Sequence, residues 1–90
     1  QKDILLLDVR TDYEYQEGSI DGFLHIPLDS LREKLSLLDS SKSIYVMCHS
    51  GLRSYLACRI LMQNGFDVYN LKGGYHYYQM LQINQEKIVV

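Results

Sequence analysis

Ninety residues are enough for one small domain and too few for two. A hydrophobic share of 47% and a single proline describe a chain that folds around one core, since a disordered chain would be poorer in aliphatic residues and richer in charge. The formal charge is −2, with acidic and basic residues interspersed and no Lys/Arg stripe, and no apolar run approaches the roughly 18–20 residues of a membrane span, so neither nucleic acid nor membrane is an expected partner.

Ile4 to Val9 is a short apolar run, which predicts a strand buried on both faces. Thr11-Asp12-Tyr13-Glu14 has the spacing of a capping box, so a brief helix is expected to follow and to end near Gly18. His25-Ile26-Pro27 reads as a very short strand stopped by proline. Leu28, Leu31, Leu35 and Leu38 then recur at helical spacing, with Asp29 or Ser30 available as the cap. Ser43 to Cys48 carries Ile44, Tyr45, Val46 and Met47, a second buried strand that runs into a polar, glycine-containing loop.

A helix is expected from about Ser54, with Leu56, Ala57, Ile60 and Leu61 on one side and Asn64-Gly65 as its left-handed termination. Phe66 to Leu71 forms the next strand, Lys72-Gly73-Gly74 a sharp turn, and Tyr75 to about Leu81 the last helix. The tail ends in Ile88-Val89-Val90, and these β-branched residues predict that Lys87 to Val90 pairs with a sheet edge, in its own chain or in a neighbour, the alternative being a loosely ordered tail.

Strands alternating with helices place the chain in the α/β class: a single domain over residues 1–90 with a mostly parallel central sheet of about four to five strands and helices on both faces. Ligand sites in such sheets lie at the carboxyl ends of the strands, which directs attention to the loops after Val9 and after Cys48. The start, Gln1-Lys2-Asp3, has neither the shape of a signal peptide nor an initiator Met, so a piece of a larger protein is expected. Two cysteines ten residues apart fit neither a disulfide scaffold nor a zinc-ligand spacing, which favours a reducing, cytoplasmic home.

Cys48 stands where a buried strand gives way to a helix, so its thiol faces uncommitted N–H groups. That position brings a cysteine from ~8.5 into the range of about 3.5–7.5 and makes it a nucleophile. Gly51 lets successive N–H groups converge into an anion nest, and Arg53 adds a permanent charge with a fork of donors. The candidate site is therefore Cys48 as nucleophile, with His49, Ser50, Gly51, Leu52, Arg53 and Ser54 holding a small anion or a persulfide above it. Asp8 and Arg10 are expected to brace this loop by pairing with each other, with Glu14 or with Arg53. His49 should point outward while its N–H serves the nest. Cys58, mid-helix among Leu56, Ala57 and Leu61, reads as a packed small hydrophobe, and Tyr75, His76, Tyr77 and Tyr78 as helix packing. His25 and His76 offer no metal-ligand pattern.

With these residues in view, the chain resembles the rhodanese family. The matching stretches are Leu7-Asp8-Val9-Arg10 with Glu14 downstream, Gly18-x-Ile20-x-Gly22 followed by Ile26-Pro27, Cys48-x-x-Gly51-x-Arg53-Ser54, then Ala57, Leu61, Gly65 and Leu71-x-Gly73-Gly74, which together span residues 4–81. It is most similar to the rhodanese modules fused to flavin-dependent coenzyme A-disulfide reductases. It departs from the family at Ser19, where His is frequent, at Phe23, where Ala is frequent, and at Tyr78, in place of the usual tryptophan. The strand and helix with which the family normally opens have no counterpart ahead of Ile4.

The resemblance implies a sulfurtransferase. The Cys48 thiolate takes sulfane sulfur from an anionic donor (thiosulfate, a polysulfide or a persulfide), becomes Cys48–S–S⁻, and passes the sulfur to a thiol or to cyanide, with Arg53 orienting the donor. It implies no cofactor or metal in this domain, FAD and coenzyme A in a fused parent, and a fused or docked flavoprotein disulfide reductase as partner. Two rivals share features with it. Phosphatases and arsenate reductases of related fold carry one residue more between cysteine and arginine than the four here, and non-catalytic interaction modules usually lose the cysteine.

Overall fold

The computed structural model describes residues 3–89, with side chains through residue 81. Its frame is four parallel strands, β1 (Ile4–Asp8), β2 (Leu24–His25), β3 (Ser43–Met47) and β4 (Asp67–Asn70), in the spatial order β2-β1-β3-β4. Leu7 lies opposite Leu24 on one side and Val46 on the other, and Ile44 lies opposite Val68. Parallel neighbours need crossovers. Helix α1 (Asp12–Glu17) joins β1 to β2, a 3-10 helix (Leu28–Leu37) joins β2 to β3, α2 (Leu52–Gln63) joins β3 to β4, and α3 (Gly74–Val89) follows β4. This is the α/β architecture expected, with β4 as one edge of the sheet.

Strand side chains alternate between faces, so Leu7 and Val9 enter the same core as Ile44, Val46 and Cys48. Leu31 and Leu38 meet them there, with Ala57, Cys58, Ile60 and Leu61 of α2. The two-sided burial expected of β1 and β3 is confined to their carboxyl halves: Ile4 is exposed, whereas Asp8 and Met47 are buried. The buried polar side chains Asp8, Arg10 and Ser54 gather at that carboxyl end.

Local sequence accounts for most of the boundaries. The Thr11 hydroxyl accepts from the Glu14 N–H at 3.2 Å while the Thr11 N–H donates to the Glu14 carboxylate at 3.0 Å, the reciprocal cap expected for α1. Helix α2 starts at Leu52, two residues before the expected Ser54, because Gly51 adopts a φ of 123° and turns the chain into the helix there. Asn64 ends α2 and Gly65 takes the expected left-handed conformation.

Two expectations are corrected. The leucine segment is a 3-10 helix, not an α-helix, and it starts from Pro27 with no side-chain cap, so that Asp29 and Ser30 lie inside its first turn. Leu28 and Leu31 are three apart, as are Leu35 and Leu38, and the four-residue step between the pairs spans a kink at Lys34; two short three-residue turns thus present the same apolar face as one α-helix. The tail from Lys87 to Val89 is the end of α3 and pairs with no strand, and Val90 lies outside the described residues. From Tyr75 onward no glycine or proline interrupts the chain, and Gln79, Met80, Leu81, Gln82, Gln85, Glu86 and Lys87 favour helix. Once α3 is nucleated, each added residue gains a backbone hydrogen bond, which outweighs the β preference of Ile88 and Val89.

Candidate active site at the Cys48 loop

Cys48 follows the last residue of β3, with its thiol buried and aimed into the turn that opens α2. The Gly51 N–H donates to Sγ at 3.0 Å, and the Ser54 hydroxyl lies 3.4 Å from it. That hydroxyl also touches the Gly51 carbonyl at 3.1 Å and Asn70 Oδ1 at 2.6 Å. A serine has one proton to give, so it accepts from a neutral thiol while donating to Asn70, and rotates to donate once the thiol ionises. Burial pushes the Cys48 thiol up, but the Ser54 hydroxyl and the N–H groups of Ser54, Gly51 and Ser50 together overcome it, and the net direction is down from the ordinary thiol value.

Helix α3 holds the loop from behind. The Tyr75 N–H donates to the Cys48 carbonyl at 2.8 Å and the His76 N–H to the His49 carbonyl at 2.9 Å, so the loop's first two carbonyls face α3. The approach is so close that a Cβ on Gly74, itself at a φ of +51°, would overlap the Cys48 carbonyl oxygen. The second glycine of Lys72-Gly73-Gly74 is therefore a requirement of the reactive loop as well as of the turn.

Of the pairings expected for Asp8 and Arg10, the structure has the one with each other; Glu14 and Arg53 pair between themselves, a combination the sequence did not point to. Arg10 is almost wholly buried; its Nη2 donates to Asp8 at 2.9 Å and to the Gly18 carbonyl at 2.9 Å, and its guanidinium lies 3.9 Å from the centre of the Tyr75 ring. Arg53 meets Glu14 with both of its terminal nitrogens, at 2.6 and 2.8 Å. Those hydrogen bonds hold the Glu14 carboxyl down at about 2 from its ordinary 4.5, and Glu14 in turn pushes Arg53 up.

His49 is exposed as expected, with its ring centre 5.5 Å from that of His76; Ser50 and Leu52 are also exposed. A groove of about 200 Å³, lined by Arg10, Glu14, Glu17, His49 and Tyr75 among others, lies beside the loop. A larger one of about 590 Å³, between the 3-10 helix and α2, contains none of these residues. Cys58 packs in the core, where burial pushes its thiol up. His25 stacks on Tyr15 at 4.1 Å and bonds the Arg10 carbonyl at 2.8 Å.

Near the thiol, Asn70 was not singled out from the sequence, and Tyr75 was read there only as helix packing. Asn70 accepts from Ser54 and donates to the Gly51 carbonyl at 3.3 Å, and Tyr75 roofs Arg10. Asn70 ends β4 at the same carboxyl end of the sheet as Cys48, so the rule that pointed to the loops after Val9 and Cys48 would have reached it had it been applied to a third strand.

Comparison with known proteins agrees with this geometry. The family described as Rhodanese-like domain matches residues 1–81. A sulfurtransferase of Allochromatium vinosum is 39% identical over 74 residues, covering 81% of this chain and 69% of that protein. The reduced CoADR-RHD of Bacillus anthracis, which includes the rhodanese module of a CoA-disulfide reductase, is similar at a TM-score of 0.74 and 44% identity, over 78% of this chain and 13% of that one. A NAD-dependent persulfide reductase from A. fulgidus gives a TM-score of 0.70 and 44% identity, over 82% of this chain and 14% of that one. This chain thus corresponds to a small part of either reductase.

Proposed function

This chain belongs to the rhodanese-like domain family, and we propose that it is a sulfurtransferase that carries sulfane sulfur as a persulfide on Cys48. The observation that carries the reading is the buried Cys48 thiol, lowered in spite of its burial by the Ser54 hydroxyl and by N–H groups of Ser54, Gly51 and Ser50. A thiolate held this way attacks the outer sulfur of a donor; the S–S bond of the donor breaks and its remainder leaves with the electron pair. The same N–H groups then serve the Cys48–S–S⁻ anion, and an acceptor thiol or cyanide attacks the terminal sulfur and restores the thiolate. His49 lines the groove beside the loop, the side from which donor and acceptor would approach.

The domain's own residues supply this chemistry without a cofactor. In a fused parent, a flavoprotein disulfide reductase bearing FAD and acting on coenzyme A thiols is the acceptor partner we favour, in a cytoplasmic, reducing setting; the similarity to reductase modules supports it. Treatment with a sulfane-sulfur donor followed by intact-mass measurement tests the central step. The expected result is a gain of one sulfur atom that localises to Cys48 and disappears on adding cyanide. No gain, or a gain on Cys58 alone, overturns the reading.

A further inference from the structure

The sulfur-transfer reading leaves open which donors the site accepts, and the charge arrangement at its mouth bears on that. Two arginines border the Cys48 loop, and a carboxylate engages each. Asp8 bonds Arg10 through Nε and Nη2 at 2.9–3.1 Å, beneath the Tyr75 ring. Glu14 grips Arg53 bidentately at 2.6 and 2.8 Å. Bidentate guanidinium–carboxylate pairs cancel the charge an arginine would otherwise present to an incoming anion. Glu17, on the wall of the same groove, adds a negative charge. The loop's own donors, from Ser50, Gly51 and Ser54, converge on Sγ and suit a single negative charge on sulfur.

We propose that Glu14 is a specificity-determining residue: by neutralising Arg53 it tunes the site to sulfane sulfur on a carrier that is at most singly charged, an organic hydropersulfide, and against the thiosulfate dianion. The step balances without an added oxidant or reductant. The Cys48 thiolate attacks the outer sulfur of R–S–S–H, a new S–S bond forms as the donor's own S–S bond breaks, and the leaving thiolate R–S⁻ takes up the proton of the transferred sulfur to give R–SH and Cys48–S–S⁻. Because Glu14 titrates at about 2, its charge is present throughout any working pH.

The inference rests on the proposed persulfide chemistry at Cys48, and the test separates the two. The rate of Cys48 persulfide formation is measured with thiosulfate and with the hydropersulfide of 2-mercaptoethanol, over a range of ionic strength, in the wild type and in Glu14→Gln. The glutamine keeps the size of the side chain and one acceptor oxygen, but it removes the second acceptor of the bidentate pair and frees the charge of Arg53. In the wild type the thiosulfate rate should rise with salt, more steeply than the hydropersulfide rate, as screening weakens repulsion. In Glu14→Gln the ratio of the thiosulfate rate to the hydropersulfide rate should rise about tenfold. A wild-type thiosulfate rate that falls with salt, or a ratio that does not rise in the variant, overturns the role of Glu14 while leaving the sulfur-transfer reading intact. Should Glu14→Gln fail to fold, the salt response of the wild type alone decides. Absence of a Cys48 persulfide with either donor overturns both readings together.

Discussion

Cys48 and Cys58 are buried to nearly the same degree, 1% and 7% exposed, one just ahead of α2 and one within it, yet their thiols move in opposite directions. Cys58 lies in the interior of the helix, where each backbone N–H is committed to a carbonyl one turn earlier, so nothing offsets the cost of burying a thiolate and its value rises. Cys48 lies ahead of the first turn, where helix N–H groups have no intrahelical acceptor, and the Ser54 hydroxyl with the N–H groups of Ser54, Gly51 and Ser50 reverses the effect. Burial alone therefore says little about the reactivity of a cysteine; the donors left free at the helix start decide its sign.

The contrast is broken most completely by Cys48→Ser. Sulfur transfer should be lost while unfolding stays cooperative, as measured by turnover and by thermal melting; residual turnover near the wild-type level would remove Cys48 from the mechanism. Ser54→Ala comes next. It deletes a hydroxyl that serves the thiolate, and hydrogen bonds to charged groups contribute about 1.5–3 kcal/mol, so alkylation of Cys48 by iodoacetamide at neutral pH should slow by about tenfold or more. An unchanged rate would mean that the backbone N–H groups suffice.

Gly74→Ala leaves both thiols in place but forces a Cβ into the Cys48 carbonyl. Overpacking of this kind costs about 1–3 kcal/mol, and the loss should appear as lower chemical stability together with slower Cys48 alkylation. A variant as stable as the wild type would show that the loop yields easily.

Acid provides a milder test. The folded-state value of Glu14 lies below its ordinary 4.5, so the stability it lends is fully present above that pH and is lost as pH falls toward about 2. Glu14 and Arg53 keep 29% and 32% of their side-chain surface exposed, so solvent screening limits the effect to about 1 kcal/mol. Denaturant melts of wild type and Glu14→Gln should differ by that amount at neutral pH and converge near the acid limit. Smallest of all, Cys58→Ser should retain most activity and cost about 1 kcal/mol through a buried hydroxyl. A loss of activity as deep as that of Cys48→Ser would end the asymmetry between the two cysteines.

The reactive loop was legible in the sequence because its signals are local: an apolar strand ending at Cys48, a glycine three residues on, and a helix pattern behind it. The bracing residues were legible as a group but not as pairs. Asp8, Arg10, Glu14 and Arg53 allow several combinations, and what selects among them is tertiary, the burial of Arg10 beneath Tyr75 and against the Gly18 carbonyl. Asn70 escaped notice for a similar reason, since it meets Ser54 only because β3 and β4 lie side by side. The leucine segment kept its face and lost its helix type, because a spacing of three, four and three suits a kinked 3-10 helix as well as an α-helix. At the C-terminus, β propensity in three residues competed with a helix already under way, and the helix prevailed through Val89.

The pairing of Leu7 with Val46 and the Glu14–Arg53 bridge each join positions 39 residues apart in the chain. Contacts of such long range form late and slowly, because a large loop must close before they give anything in return. Until β1 has found β3, Cys48 and Cys58 are two ordinary thiols on an open chain. The difference between them emerges only with the completed sheet, so the ratio of their labelling rates serves as an internal clock for the arrival of the native state. A chain stalled partway would show two thiols of like reactivity.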